Sequence, residues 1–133
     1  MEKLTRSDLR GKIMTVLYQI NVYNKNKINY DVNEVIKEVL ESENEFVKEV
    51  VYGVITHEEE IVKIANDNLK DWTIDRLGHT DQAILKMGIF ELLFTETPDI
   101  VCINEAVELA KSYSDDDVRR MINGVLDKIY HSK

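Results

Sequence analysis

An all-α fold of about seven helices, arranged as two small helical subdomains that form one compact bundle, is what the sequence predicts. Three observations carry it. Apolar residues recur at three- and four-residue spacing along most of the chain, the period of a helix with one buried face. No stretch alternates apolar and polar residues for long enough to make a half-buried strand. Helix breakers are scarce, with one proline, Pro98, and five glycines in 133 residues.

The first helix follows Leu9, Ile13, Val16, Leu17 and Ile20, a stripe along one face. "NKNKINY" then breaks the pattern and reads as a surface loop. Val32, Val35, Ile36, Val39 and Leu40 make a second helix, and "ESENE" ends it, with Ser42 or Asn44 able to cap the next. Phe46, Val47, Val50, Val51 and Val54 carry the third to about His57. Gly53 within it costs about 1 kcal/mol relative to alanine, which points to a close contact that leaves no room for a side chain.

Ile61, Ile64, Ala65 and Leu69 mark a fourth helix before "DWTIDRLGHTD". "AILKMGIFELLF" is apolar nearly all round and is expected to be the buried central helix. It stops near Pro98, because the residue before a proline disfavours helix. "INEAVELAKSY" places Ile103, Ala106, Val107 and Ala110 on one face, with Asn104 or Glu105 near the start of that helix. The last helix begins at "SDDD", whose aspartates suit the positive end of a helix dipole. Its stripe is Val118, Ile122, Val125, Leu126 and Ile129. The expected subdomains are residues 1 to about 57 and about 58 to 133.

Composition narrows the function. At 44% hydrophobic and 32% charged residues the chain is neither disordered nor membrane-spanning. No apolar run approaches the roughly 20 residues of a transmembrane helix, and no secretory signal is visible. Cys102 is the one cysteine and has no disulfide partner, which suits a reducing cytoplasm; it reads as a small core residue. His57, His79 and His131 lie in different segments, outside any HExxH or CxxC pattern. No phosphate-cradling glycine loop and no nucleophile elbow occur. These readings favour binding over catalysis, with no metal and no cofactor.

The formal charge is −8, yet residues 1–12 carry a local +2. On a helical wheel Lys3, Arg6 and Arg10 border the apolar stripe, Met14 and Tyr18 continue that edge, and Lys12 points elsewhere. Cations neutralise phosphates and aromatic faces stack unpaired bases, a pairing that single-stranded RNA requires. The same residues at a core margin also serve as amphipathic packing.

The segments "INEAVELAK" (103–111) and "NGVLDKI" (123–129), with "FVKEVVYGV" and the N-terminal "LYQ", occur in one order along nearly the whole chain. In this the sequence resembles the NusB family of bacterial transcription antitermination factors; residues 21–45 are the weakest part of the likeness. The resemblance implies an all-helical protein of two small subdomains. It implies binding of single-stranded boxA-type RNA together with the ribosomal protein NusE. That pair seeds an antitermination complex on the RNA polymerase elongation complex, notably on ribosomal RNA operons. It also implies a homodimer in some members, a cytoplasmic location and no enzymatic activity.

By the same resemblance, Lys3, Arg6, Arg10 and Tyr18 would contact RNA, joined by Arg119, Arg120 and Met121 of the last helix. Ser7 and Asp8 stand where the family is often basic. Met121 replaces a common phenylalanine, a softer contact that Arg119 and Arg120 would offset by phosphate binding. Asp81 and Asp117 match acidic positions on the partner side. Each also reads as a helix cap. The competing reading of the whole chain is a structural adaptor or homodimer with no sequence-specific RNA site.

Overall fold

The computed structural model describes residues 3–133; Glu2, counted in the N-terminal charge, lies outside them. The described residues form seven α-helices and one short 3₁₀ turn, with no strand: α1 (Arg6–Lys25), α2 (Val32–Val39), α3 (Glu45–Thr56), α4 (Glu58–Asn68), the turn Ile74–Arg76, α5 (His79–Phe94), α6 (Asp99–Tyr113) and α7 (Asp116–His131).

Side-chain caps set several of the helix starts. Thr5 and Asp8 close a capping box on α1, the Thr5 hydroxyl accepting from the Asp8 N–H and the Asp8 carboxylate accepting from the Thr5 N–H. Hydrogen bonding to Thr5, from its backbone N–H first and then from its side chain, holds the Asp8 carboxyl below its ordinary range. Asp31, Asn44 and Asp115 cap α2, α3 and α7, each side chain accepting from the N–H three residues on. Of the two residues expected to cap α3, Asn44 is the one used. The cap of α7 is Asp115, which corrects the capping alternative for Asp117. A further correction concerns α6, which starts at Asp99 with Pro98 at its N-cap. Asn104 and Glu105 are therefore mid-helix. Pro98 opens α6, where its missing N–H leaves no donor unpaired, whereas α5 has already ended at Phe94.

α5 is the axis of the fold. Residues 82–92 are buried without a break, and the helix packs against α1, α3, α4, α6 and α7. Lys86 is among those residues, and its ammonium group reaches Glu58 at the start of α4, 2.6 Å away. The other helices turn single stripes inward: Leu9, Ile13, Val16, Leu17 and Ile20 from α1, Ile61 and Ala65 from α4, and Ile122, Val125, Leu126 and Ile129 from α7. His57 joins α3 to α4, and its ring stacks on Phe94 at 4.3 Å. At the far end Lys133 donates to the Leu92 carbonyl and pairs with Asp99, tying the last residue to α5 and α6.

Cys102 is buried where α6 meets the core. Burial, then the nearby Glu91 carboxylate, push its thiol up to about 12, against 9.0 when unperturbed. The folded chain thus keeps a proton that the unfolded chain releases, and this contribution to stability is lost as pH rises from about 9 to about 12. At pH 8, iodoacetamide is expected to label Cys102 only in denaturant. Equal labelling rates with and without denaturant would contradict the burial.

Candidate nucleic-acid interface

The basic edge expected on α1 divides in three dimensions. Arg6 is exposed at the start of the helix, with its guanidinium 4.0 Å from the centre of the Phe46 ring of α3. Arg10, one turn later, is only 3% exposed. Its Nε donates to Glu91 Oε1 at 2.7 Å and its Nη2 to Glu91 Oε2 at 2.8 Å, a two-pronged pair in the core. Glu105 of α6 lies 3.5 Å from the same guanidinium. Burial alone would lower the pKa of Arg10, but the hydrogen bonds and charge of Glu91 outweigh it and raise the value. Arg10 therefore joins α1 to α5 and α6, and the fold leaves almost none of its surface to solvent. Met14, next on that edge, is also buried.

A different set of residues, on α1 and just before it, meets solvent opposite α6. Lys3, Ser7, Gly11, Lys12 and Thr15 line one side of an open groove of about 720 Å³. Glu105, Glu108, Ser112 and Tyr113 of α6 line the other. Lys12, which the wheel directed away from the patch, thus shares a groove with Lys3. Tyr113, 60% exposed, adds an aromatic face. Neither Lys12 nor Tyr113 was singled out from the sequence. The available signal was the small polar run Ser7, Gly11 and Thr15 at four-residue spacing, which leaves one face of α1 without bulk.

Two of the groove's carboxylates are already engaged. Asp8 serves the cap, and Glu105 accepts from the Ser7 hydroxyl at 2.6 Å while facing Arg10. Ser7 and Asp8, which thin the basic strip, therefore anchor the first turn of α1. Glu108 is exposed and offers an acceptor for a sugar hydroxyl or a base amino group. Lys3 and Lys12 offer ammonium groups to a phosphate and Tyr113 an aromatic face, in a groove that Asp8, Glu105 and Glu108 also line.

The remaining expected residues lie apart from this groove. Tyr18 is 40% exposed, with its ring edge-on to His79 of α5. Arg119 and Arg120 pair with Asp116 and Asp117 one turn earlier, at 3.7 and 3.3 Å. Such surface pairs contribute at most about 1 kcal/mol, so an incoming phosphate can displace them. Met121 is half-buried against the core. Asp81, in the first turn of α5, accepts a hydrogen bond from the Ser114 hydroxyl at the end of α6. Gly78 is the N-cap of α5, so Asp81 links helices and is not the cap residue. Among the described residues no group of three or more His, Cys, Asp or Glu side chains is placed to hold a metal ion. None of the described helices is long and apolar enough to cross a membrane.

The sequence profile of the NusB family matches residues 7–131. The chain belongs to the NusB family. Its relatives include the transcription antitermination protein NusB of Exiguobacterium sp., 42% identical over 95% of this chain and 97% of the relative. The NusB protein of Campylobacter jejuni is 36% identical over 97% and 98%. Among solved structures, T. maritima NusB superposes with a TM-score of 0.83 at 27% identity, covering 98% of this chain and 93% of that one. A structure of the antitermination factors NusB and NusE in complex with double-stranded RNA matches with a TM-score of 0.82 at 30% identity, covering 96% and 97%. The all-α NusB fold expected from sequence is the fold observed.

Proposed function

We propose that this chain is a transcription antitermination factor that binds boxA-type RNA together with the ribosomal protein NusE. The pair would act on the RNA polymerase elongation complex in the bacterial cytoplasm, notably on ribosomal RNA operons, and by binding alone, without catalysis. Membership of the NusB family supports this reading, as does the likeness to a NusB seen with NusE and RNA. The observation that carries it is the α1–α6 groove, which Lys3, Lys12 and Tyr113 line. Arg6, Tyr18, Arg119, Arg120 and Met121 would extend the RNA surface, with Arg10 holding α1 in place behind it. Asp81 and Asp117 are assigned to the partner side. A predominantly acidic surface suits a basic ribosomal protein, since complementary potential speeds encounter and suppresses wrong partners. RNA and NusE binding should be cooperative, each raising affinity for the other by the same factor.

The test is fluorescence anisotropy with a boxA-like RNA and a scrambled RNA, with and without NusE, at two salt concentrations. Preference for the boxA-like strand, increased by NusE, is expected. Equal binding to both strands in all conditions would leave an adaptor or homodimer as the better account. Replacing Lys3 and Lys12 together by alanine should weaken binding and flatten the dependence of log K on log salt, by about 0.7 for each phosphate no longer neutralised. An unchanged slope would move the phosphate site elsewhere.

A further inference from the structure

Tyr18 is an exposed aromatic side chain on α1 that nevertheless has a fixed neighbour. Its ring stands perpendicular to the His79 imidazole of α5, with 5.9 Å between centres, an arrangement that aromatic pairs favour. Tyr18 keeps 40% of its surface in solvent, so the contact steadies the ring without covering it.

His79 is held in turn by a chain of hydrogen bonds whose direction is set from one end. The Leu77 carbonyl can only accept, so Gln82 Nε2 donates to it, at 2.9 Å. Gln82 Oε1 then accepts from Asn21 Nδ2 at 3.2 Å. The same Asn21 nitrogen lies 2.6 Å from His79 Nδ1, and an amide nitrogen can only donate there. Nδ1 is therefore the bare acceptor, and the ring proton sits on Nε2. Gln82 is buried, and Asn21 lies on α1 one turn beyond Tyr18. The imidazole is thus fixed in orientation and tautomer between the two helices.

We infer that His79 is a positioning residue for RNA binding: it holds the Tyr18 ring in the orientation in which an unpaired base stacks on it. This rests on the RNA-binding reading above, in which Tyr18 belongs to the RNA surface. A solvent-facing tyrosine turns about two side-chain bonds, and it loses that freedom when a base stacks on it. The His79 contact removes much of the freedom in advance. His79 acts through Tyr18 and needs no contact with the strand.

The experiment is a double-mutant cycle on affinity for a labelled boxA-like RNA with NusE present, with the melting temperature of each variant. His79→Ala should weaken binding about threefold to tenfold beside Tyr18, and have no effect in the Tyr18→Ala background. His79→Phe, which keeps a ring against Tyr18, should recover most of the loss. His79→Asn, which keeps an acceptor for Asn21 but no ring, should not. The ring ¹⁵N resonances of His79 should show the proton on Nε2. Equal losses in both Tyr18 backgrounds would overturn the inference and leave His79 a purely structural role. A proton found on Nδ1 would overturn the chain that holds the ring. Loss of NusE affinity in His79→Ala without RNA would move Tyr18 and His79 to the protein partner's side, and would also overturn it. Wild-type RNA affinity in His79→Ala would remove this inference alone. Absence of RNA binding by the wild-type protein would remove the functional reading with it.

Discussion

Replacing Arg10 by alanine is expected to destabilise the protein by about 3–5 kcal/mol in urea denaturation, the cost of leaving a buried carboxylate without its partner. Glu91 is 2% exposed and receives two hydrogen bonds from the guanidinium. Without them its charge is left unpaired inside the core. Arg10→Lys should recover only part of the loss, because an ammonium group cannot reproduce the two-pronged geometry. The double variant Arg10→Met/Glu91→Leu should be far more stable than Arg10→Ala, since exchanging a whole buried pair for apolar side chains is often neutral. If that double variant folds and binds RNA with wild-type affinity, Arg10 acts through the fold. A large loss of affinity in the folded double variant would restore Arg10 as an RNA contact.

The second large effect is expected at Gly53. An alanine Cβ there would lie 2.1 Å from Phe90 Cζ and 2.3 Å from Phe90 Cε1, well inside van der Waals contact. The ring cannot simply swing aside, because His57 and Phe94 stack alongside it. Overpacking of this kind costs about 1–3 kcal/mol, and the better helix propensity of alanine returns at most about 1 kcal/mol. Gly53→Ala should therefore lower stability, and Gly53→Leu should lower it further. Shortening the opposing side chain tests the cause. Phe90→Leu should be less harmful in the Gly53→Ala background than in the wild type, with a coupling of about 0.5–3 kcal/mol. Additive losses would place the strain elsewhere.

Both effects bear on how much of this protein is legible in its sequence. Gly53 illustrates the readable part: a glycine inside a strong apolar helical pattern signals close packing, and the contact exists. Asn44 and the aspartate-rich start of α7 are readable for a related reason, since a cap acts within three or four residues of the chain. The buried character of α5 was equally plain, because a helix apolar all round has no solvent face to offer. The short motifs near the C-terminus pointed to the NusB family, which the comparison confirmed over most of the chain.

The candidate site was much less legible. A helical wheel treats a helix as having one buried stripe and assigns charged residues to solvent. α1 packs against α2, α3, α5 and α6, so one of its arginines lies inside the fold. The partner that makes this tolerable, Glu91, is 81 residues away. Ser7 and Asp8 looked like gaps in a basic strip. In the fold, Ser7 donates to Glu105 on a distant helix and Asp8 completes a local cap.

By itself, then, the sequence determined the helices, the cap of α3, the acidic start of α7, the central position of α5 and the family, all of which depend on periodicity, nearby hydrogen bonds or short motifs. Only the tertiary structure decided which cations are free. Arg10 is committed to Glu91, while Lys12 shares a groove with Lys3 because α6 forms the facing wall. The physical reason is the same in each case: a charge's role follows from what surrounds it in space, and those surroundings come from parts of the chain that no local pattern specifies.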